Sequence, residues 1–140
     1  MDNFDVPGAY LHAEMPKEKR ILMNLRGDFD DIMCQVNPEY KQNVGYENRK
    51  KFLYLLVLRA IYGCIQSAFL WYKLFLATLE RICFEINPYY ICVENKTIEG
   101  TQCNIYWYVD EKKLSHKNPS VISDIINKVK IFLEIHICER

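Results

Sequence analysis

Several things are missing from this sequence, and each absence narrows the reading. The six cysteines form no Cys-x-x-Cys pair and no Cys/His cluster with zinc spacing, which removes the common structural metal sites. No signal peptide precedes them, so the expectation is reduced thiols in an intracellular protein. Net charge is absent as well: 18 basic residues balance 18 acidic ones, and nothing global advertises a nucleic-acid or membrane surface. Glycine and proline number five each, with no internal repeat or low-complexity tract, so solenoids and disordered linkers are excluded. His12 and His116 lack any partner pattern and receive no catalytic role.

A clean membrane-length run is also lacking. Phe52 to Leu79 is long and apolar, but every window of about 20 residues contains Arg59, Gln66 or Lys73. A charge at a helix centre costs roughly 2.5–3.5 kcal/mol on insertion. Gly63 punctuates the run, with β-prone residues before it and helix formers after it. The segment therefore reads as a buried strand, a turn and a buried helix, and no membrane is expected as a partner. The alternative is a small membrane-associated protein built around this run.

What is present is the content of one domain over residues 1–140, long enough to bury roughly 68–70% of its unfolded surface. Asn3-Phe4-Asp5-Val6 reads as a strand end stopped by Pro7-Gly8, with a short helical turn from Ala9 to Ala13. Arg20 to Leu25 is a second strand, and Asp28 to Met33 a short helix with acidic residues at its start. Asn37 to Arg49 is polar and reads as an exposed loop, followed by an apolar strand from Phe52 to Leu58. Gln66 to Ile82 is a helix apolar on several sides, with Ala68, Trp71, Tyr72, Phe75 and Leu79 on its most continuous face. Two strands are expected at Tyr89–Val93 and Thr101–Val109, around a turn signal from Asn95 to Gly100.

The aromatic run Cys103 to Val109 ends on Asp110-Glu111, and Lys112 and Lys113 follow. That pattern predicts a hairpin whose two-residue turn carries both carboxylates, with a return strand through Ser115. Asn118 before Pro119 marks a helix start, and Val121, Ile122, Ile125, Ile126, Val129 and Leu133 continue it at helical spacing. The tail from Ile131 to Cys138 is compatible with more helix or with a strand. The order is strand, insertion, helix, hairpin, helix, with a closing strand on the second reading of the tail. It matches a split β-α-β-β-α-β pattern, an α+β fold with helices on one face of an antiparallel sheet. In that arrangement Asp5 lies beside Asp110, and acidic groups so gathered can hold divalent cations for phosphoryl or nucleotidyl transfer.

Four blocks carry a family resemblance over about residues 4–130: Asp5 to Ala13; Arg59 to Gly63 leading through Gln66-Ser67-Ala68 to Trp71-Tyr72; Cys83 to Tyr89; and Tyr108 to Glu111 with Ser115-His116-Lys117. In this order and spacing the chain resembles the reverse transcriptase domain of copia-type retrotransposons, an RNA-directed DNA polymerase. The resemblance implies a polymerase palm and two-metal nucleotidyl transfer. By it Asp5 and Asp110 are catalytic carboxylates and metal ligands, the Val6 carbonyl faces a metal, and Glu111 stands where the family usually has aspartate. The implied cofactor is Mg²⁺ or Mn²⁺. Tyr10 matches the aromatic gate that favours deoxynucleotides, and Gly63 and Gln66 match the block lining nucleotide and template. The implied partners are a primer–template nucleic acid and a deoxynucleoside triphosphate.

The departures matter too. Fingers, thumb and RNase H region are missing, so the expectation is a palm fragment with weak or no activity by itself. Glu111 carries one methylene more than aspartate, and a misplacement near 1 Å can cost ~10²-fold in rate. Tyr90-Ile91 replaces the Asp-Pro common among relatives. The alternative function is a non-catalytic remnant or interaction domain that retains the fold.

Overall fold

Proline donates no amide hydrogen bond and Gly8 takes φ 63°, so the chain leaves its first strand at Pro7-Gly8 and turns at once into a short helix. The computed structural model describes residues 1–138. Its elements run β1 (Asp2–Asp5), α1 (Ala9–His12), β2 (Ile21–Arg26), α2 (Asp28–Val36), β3 (Val44–Glu47), β4 (Lys50–Val57), α3 (Ser67–Arg81), β5 (Glu85–Ile86), β6 (Val93–Ile98), β7 (Thr101–Tyr108), β8 (Glu111–Ser115) and α4 (Pro119–Cys138). Short 3-10 turns occupy Lys17–Lys19 and Pro38–Asn43. The fold is α+β with antiparallel sheets. Among the described residues no helix is long and apolar enough to cross a membrane.

The chain forms two compact units, Met1–Glu14 with Arg59–Arg140, and Met15–Leu58. The first is a five-stranded antiparallel sheet in the order β1-β8-β7-β6-β5. Period-two alternation along β7 sends Cys103, Ile105 and Trp107 inward and leaves Tyr106 and Tyr108 exposed. The inward side chains share one core with Trp71, Phe75 and Leu79 of α3 and with Ile122, Ile125, Val129 and Leu133 of α4. Those residues recur at helical spacing, so each helix lays one stripe on the sheet. The Asn118 side chain accepts the Ser120 amide at 3.1 Å and Pro119 opens the helix, as the Asn-Pro pair predicts. At the point where the chain leaves this unit, Glu14 bridges Arg59 and the Ala60 amide donates to Ala13 at 2.8 Å.

The second unit is a three-stranded sheet, β2-β4-β3, with α2. Its turn Asn48-Arg49 has positive φ at both residues, the backbone that suits a two-residue hairpin. Buried Asp30 pairs with Lys51 at 3.5 Å, and Lys51 also bonds Asp31. On edge strand β3, Gly45 lies opposite Phe52, whose ring fills the space a β-carbon at 45 would take.

Two expectations need correction here, and one left open is decided. The stretch 37–49 is not simply a loop, because Val44–Glu47 adds a strand to β4. The sixth strand is not Tyr89–Val93 but Val93–Ile98, and its turn contracts to Glu99-Gly100, both at positive φ. Polar Glu94-Asn95-Lys96-Thr97 reads as a turn in isolation, yet pairing with β7 makes it a strand. The tail, open to two readings, continues as helix to Cys138.

Candidate active site

The candidate site is assembled at one end of the first sheet. Strand β1 runs antiparallel to β8 with Phe4 opposite Lys112 and Asp5 opposite Glu111. Because side chains alternate, Phe4 and Lys112 turn to the core, whereas Asp5 and Glu111 stand exposed together on the open face. Beyond Asp5 the amide of Val6 donates to the carbonyl of Asp110 at 3.3 Å. Asp5, Val6, Asp110 and Glu111 are thus neighbours, although Asp5 and Asp110 sit near opposite ends of the sequence.

The hairpin differs from the expected one by a residue. Tyr108 pairs with Glu111, so the two-residue turn is Val109-Asp110 and Glu111 belongs to the returning strand. Val109 adopts φ 47°, a left-handed conformation that a β-branched residue occupies only under constraint. The constraint is visible. The indole Nε1 of Trp71 donates to the Val109 carbonyl at 3.0 Å, and the Lys112 ammonium donates to the carbonyls of Val109 and Asp110 at 2.6 and 2.8 Å.

Lys112 is only 2% exposed, with its ammonium 4.9 Å from the Trp71 ring centre and 5.3 Å from that of Phe75. Burial lowers its pKa to about 8, while the charges of Asp110 and Asp5 oppose that fall. Both carboxylates therefore act on one buried cation.

A second arm reaches the hairpin from the corner before α3. The Tyr62 hydroxyl donates to the Asp110 carboxylate, 3.0 Å from Oδ1 and 3.1 Å from Oδ2. Its ring lies against Tyr10, with centroids 4.6 Å apart. Desolvation raises the Tyr62 pKa, and the hydrogen bond and charge of Asp110 add to it, followed by Tyr10 and Asp5. This tyrosine links Tyr10 to the Asp110 carboxylate. Gly63 follows with φ 90° and open space above it, and Gln66 opens α3 with its carbonyl accepting the Leu70 amide at 3.0 Å. Both lie in the Tyr62 corner. The corner's far end is anchored by buried Ser67, whose hydroxyl donates to the Ile61 carbonyl at 2.6 Å.

The sequence reading missed the two residues with most to do here, Tyr62 and Lys112. For Lys112 a signal existed, since period two from Leu114 places it on the inward face. Tyr62 offered none, because a corner tyrosine carries no periodic information.

The donor set suits a hard divalent cation by type, being two carboxylates and a carbonyl. The arrangement does not. Tyr62 holds the Asp110 carboxylate, Glu111 lies in the returning strand, and among the described residues no three His, Cys, Asp or Glu side chains form a group that could hold a metal. As folded here, these residues do not fit Mg²⁺ or Mn²⁺. On the open face a concavity of about 650 Å³ is lined by Asp5, Glu111, Tyr106, Tyr108 and Lys113, among others.

No family model, curated protein or solved structure matches this chain.

Proposed function

We propose that the chain carries the palm of a copia-type reverse transcriptase, an RNA-directed DNA polymerase, with Asp5 and Asp110 as its acidic pair. The single observation that supports this most is strand β1 lying against β8, which sets Asp5 and Val6 beside the Val109-Asp110 turn. Three of the four sequence blocks meet at that end of the sheet, whereas Cys83 to Tyr89 enters β5 at the opposite edge. The reading takes the antiparallel sheet, with α3 and α4 on one face, as a palm. Exposed Tyr106 and Tyr108 beside Lys113 give the open face groups that stack on bases and meet phosphates, in keeping with a primer–template as partner. Tyr10, Gly63 and Gln66 belong to the nucleotide side of the same site. The family's divalent cation would require an Asp110 carboxylate free of Tyr62.

A second reading, a non-catalytic remnant of that fold, is favoured by one specific observation. The Asp110 carboxylate is taken by Tyr62 and the third acid is drawn into β8. Mn²⁺ titration followed by electron paramagnetic resonance, with primer–template and a deoxynucleotide present, tests the polymerase reading. Binding should weaken at least tenfold in both Asp5→Asn and Asp110→Asn. Equal binding by wild type and both variants leaves the remnant. Primer extension on an RNA template, dependent on Asp110, separates an active palm from an inactive one.

A further inference from the structure

Strand β2 is an edge of the second sheet, paired with β4 on one side and with no strand on the other. Among the described residues no backbone group outside β4 bonds to residues 21–26, which leaves the outward row of amides and carbonyls along Ile21–Arg26 unpaired. Sheet edges are commonly guarded by proline, a bulge, a charge turned inward or brevity. β2 has six residues, no proline, an unbroken register against β4 and no positive φ before Gly27. The other edge, β3, is short and carries Gly45 and Glu47.

The face beside that edge is apolar and open. Period two turns Ile21, Met23 and Leu25 to the same side as Leu53 and Lys51, the side on which Lys51 meets Asp30 and Asp31 of α2. On the opposite side Leu22 stands directly across from Leu56, and they are 57% and 49% exposed. Leu58 is exposed two residues on, and the rings of Phe52 and Tyr54 meet at 4.7 Å along the same face.

The ends of the strand select its partner. An antiparallel copy of β2 keeps the α2 side and the open side matched only when even-numbered residues oppose even-numbered ones. Centred on Met23, such pairing sets Arg20 against Arg26, a clash of like charge. Centred on Asn24, it sets Leu22 against Arg26. Centred on Leu22, it sets Leu22 on its own copy and Arg20 against Asn24, and it carries Arg26 toward Glu18 beyond the strand start. That last register is self-complementary in charge and joins the two Leu22–Leu56 patches into one. A net charge of zero adds no repulsion between copies.

We propose that β2 is a homotypic docking edge, on which a second copy of this chain pairs antiparallel about a two-fold axis at Leu22. The sheet β3-β4-β2 then runs on into β2-β4-β3 of the copy. Each copy spends the edge it offers, so assembly closes at two. The contact uses none of the residues at the Asp5–Asp110 end and is independent of the polymerase reading.

Sedimentation equilibrium of the full chain over a concentration series tests this, with Leu22→Lys and Leu22→Glu as variants. Both changes fall at an exposed position and leave the core untouched. Wild type should equilibrate between monomer and dimer. Either charged variant alone should associate about tenfold more weakly or worse, because like charges meet at the axis and the leucine contact is lost. An equal mixture of the two should regain association as a heterodimer, which neither misfolding nor nonspecific sticking would produce. A wild type that stays monomeric at every concentration overturns the proposal and leaves the edge to a strand of another protein. Association indifferent to the charges, or a mixture no tighter than its components, overturns it as well.

Discussion

The indole Nε1 of Trp107 donates to the Glu94 carboxylate at 2.7 Å inside the core, and the other carboxylate oxygen has no partner. Glu94 is fully buried on β6. Desolvation pushes its pKa from 4.5 up to about 7, the Trp107 hydrogen bond pulls against that, and the charge of Glu80 adds to the rise. The folded state therefore holds this proton more tightly than the unfolded chain.

The sign of the pH effect follows. Stability from this group is fully present below pH 4.5 and declines as pH rises toward 7, by about 3 kcal/mol at most. Glu94→Gln keeps the acceptor and cannot ionise. Denaturant unfolding of wild type and variant between pH 4.5 and 8 should show the wild type losing ground to the variant across that window. Parallel curves would exclude a buried neutral carboxyl.

Trp71→Phe probes what holds the hairpin. An aromatic ring is kept for the tilted contact with Phe75, 5.2 Å between centroids, but the bond to the Val109 carbonyl is lost. The expected cost is about 1 kcal/mol in unfolding free energy. Amide exchange at residues 109–111 should quicken more than in α4, and uniform quickening would assign Trp71 to packing alone.

Val109→Gly tests the strain in the turn. Glycine accepts φ 47° without the clash of a β-branched side chain, at some cost in unfolded-state entropy. A net gain of about 0.5–1 kcal/mol is expected from thermal unfolding. A loss would mean that the side chain of Val109 contributes more by contact than its backbone loses by strain.

Gly45→Ala should destabilise the second unit. The added methyl group meets the Phe52 ring across the β3–β4 pair, and strain of this kind costs about 1–3 kcal/mol. Combining it with Phe52→Leu should recover part of the loss, read by proteolytic resistance of residues 15–58. No recovery would place the cost in the backbone.

These residues also show what the sequence made legible. The stripes of α3 and α4 and the alternation of β7 were readable because burial repeats at the period of the element. Asp5 meeting the hairpin was readable because an antiparallel split pattern allows few neighbours for the first strand. Strand β6 was misplaced because its polar residues form a strand only by pairing with β7, and Glu94 is buried against expectation for its type. The turn slipped by one residue because the handedness of Val109 comes from Trp71 and Lys112, which are remote or of a usually exposed type. Tyr62 acquired its meaning only from distance, whereas period two from Leu114 already marked Lys112 as inward-facing.

The bridge between Glu14 and Arg59 has a different kind of consequence. Where an excursion departs and returns through paired neighbours, its two ends present the host with one fixed, narrow gap. A short turn can span that gap at little entropic cost. A short turn in place of residues 15–58 is therefore expected to leave the Glu14–Arg59 pairing closed.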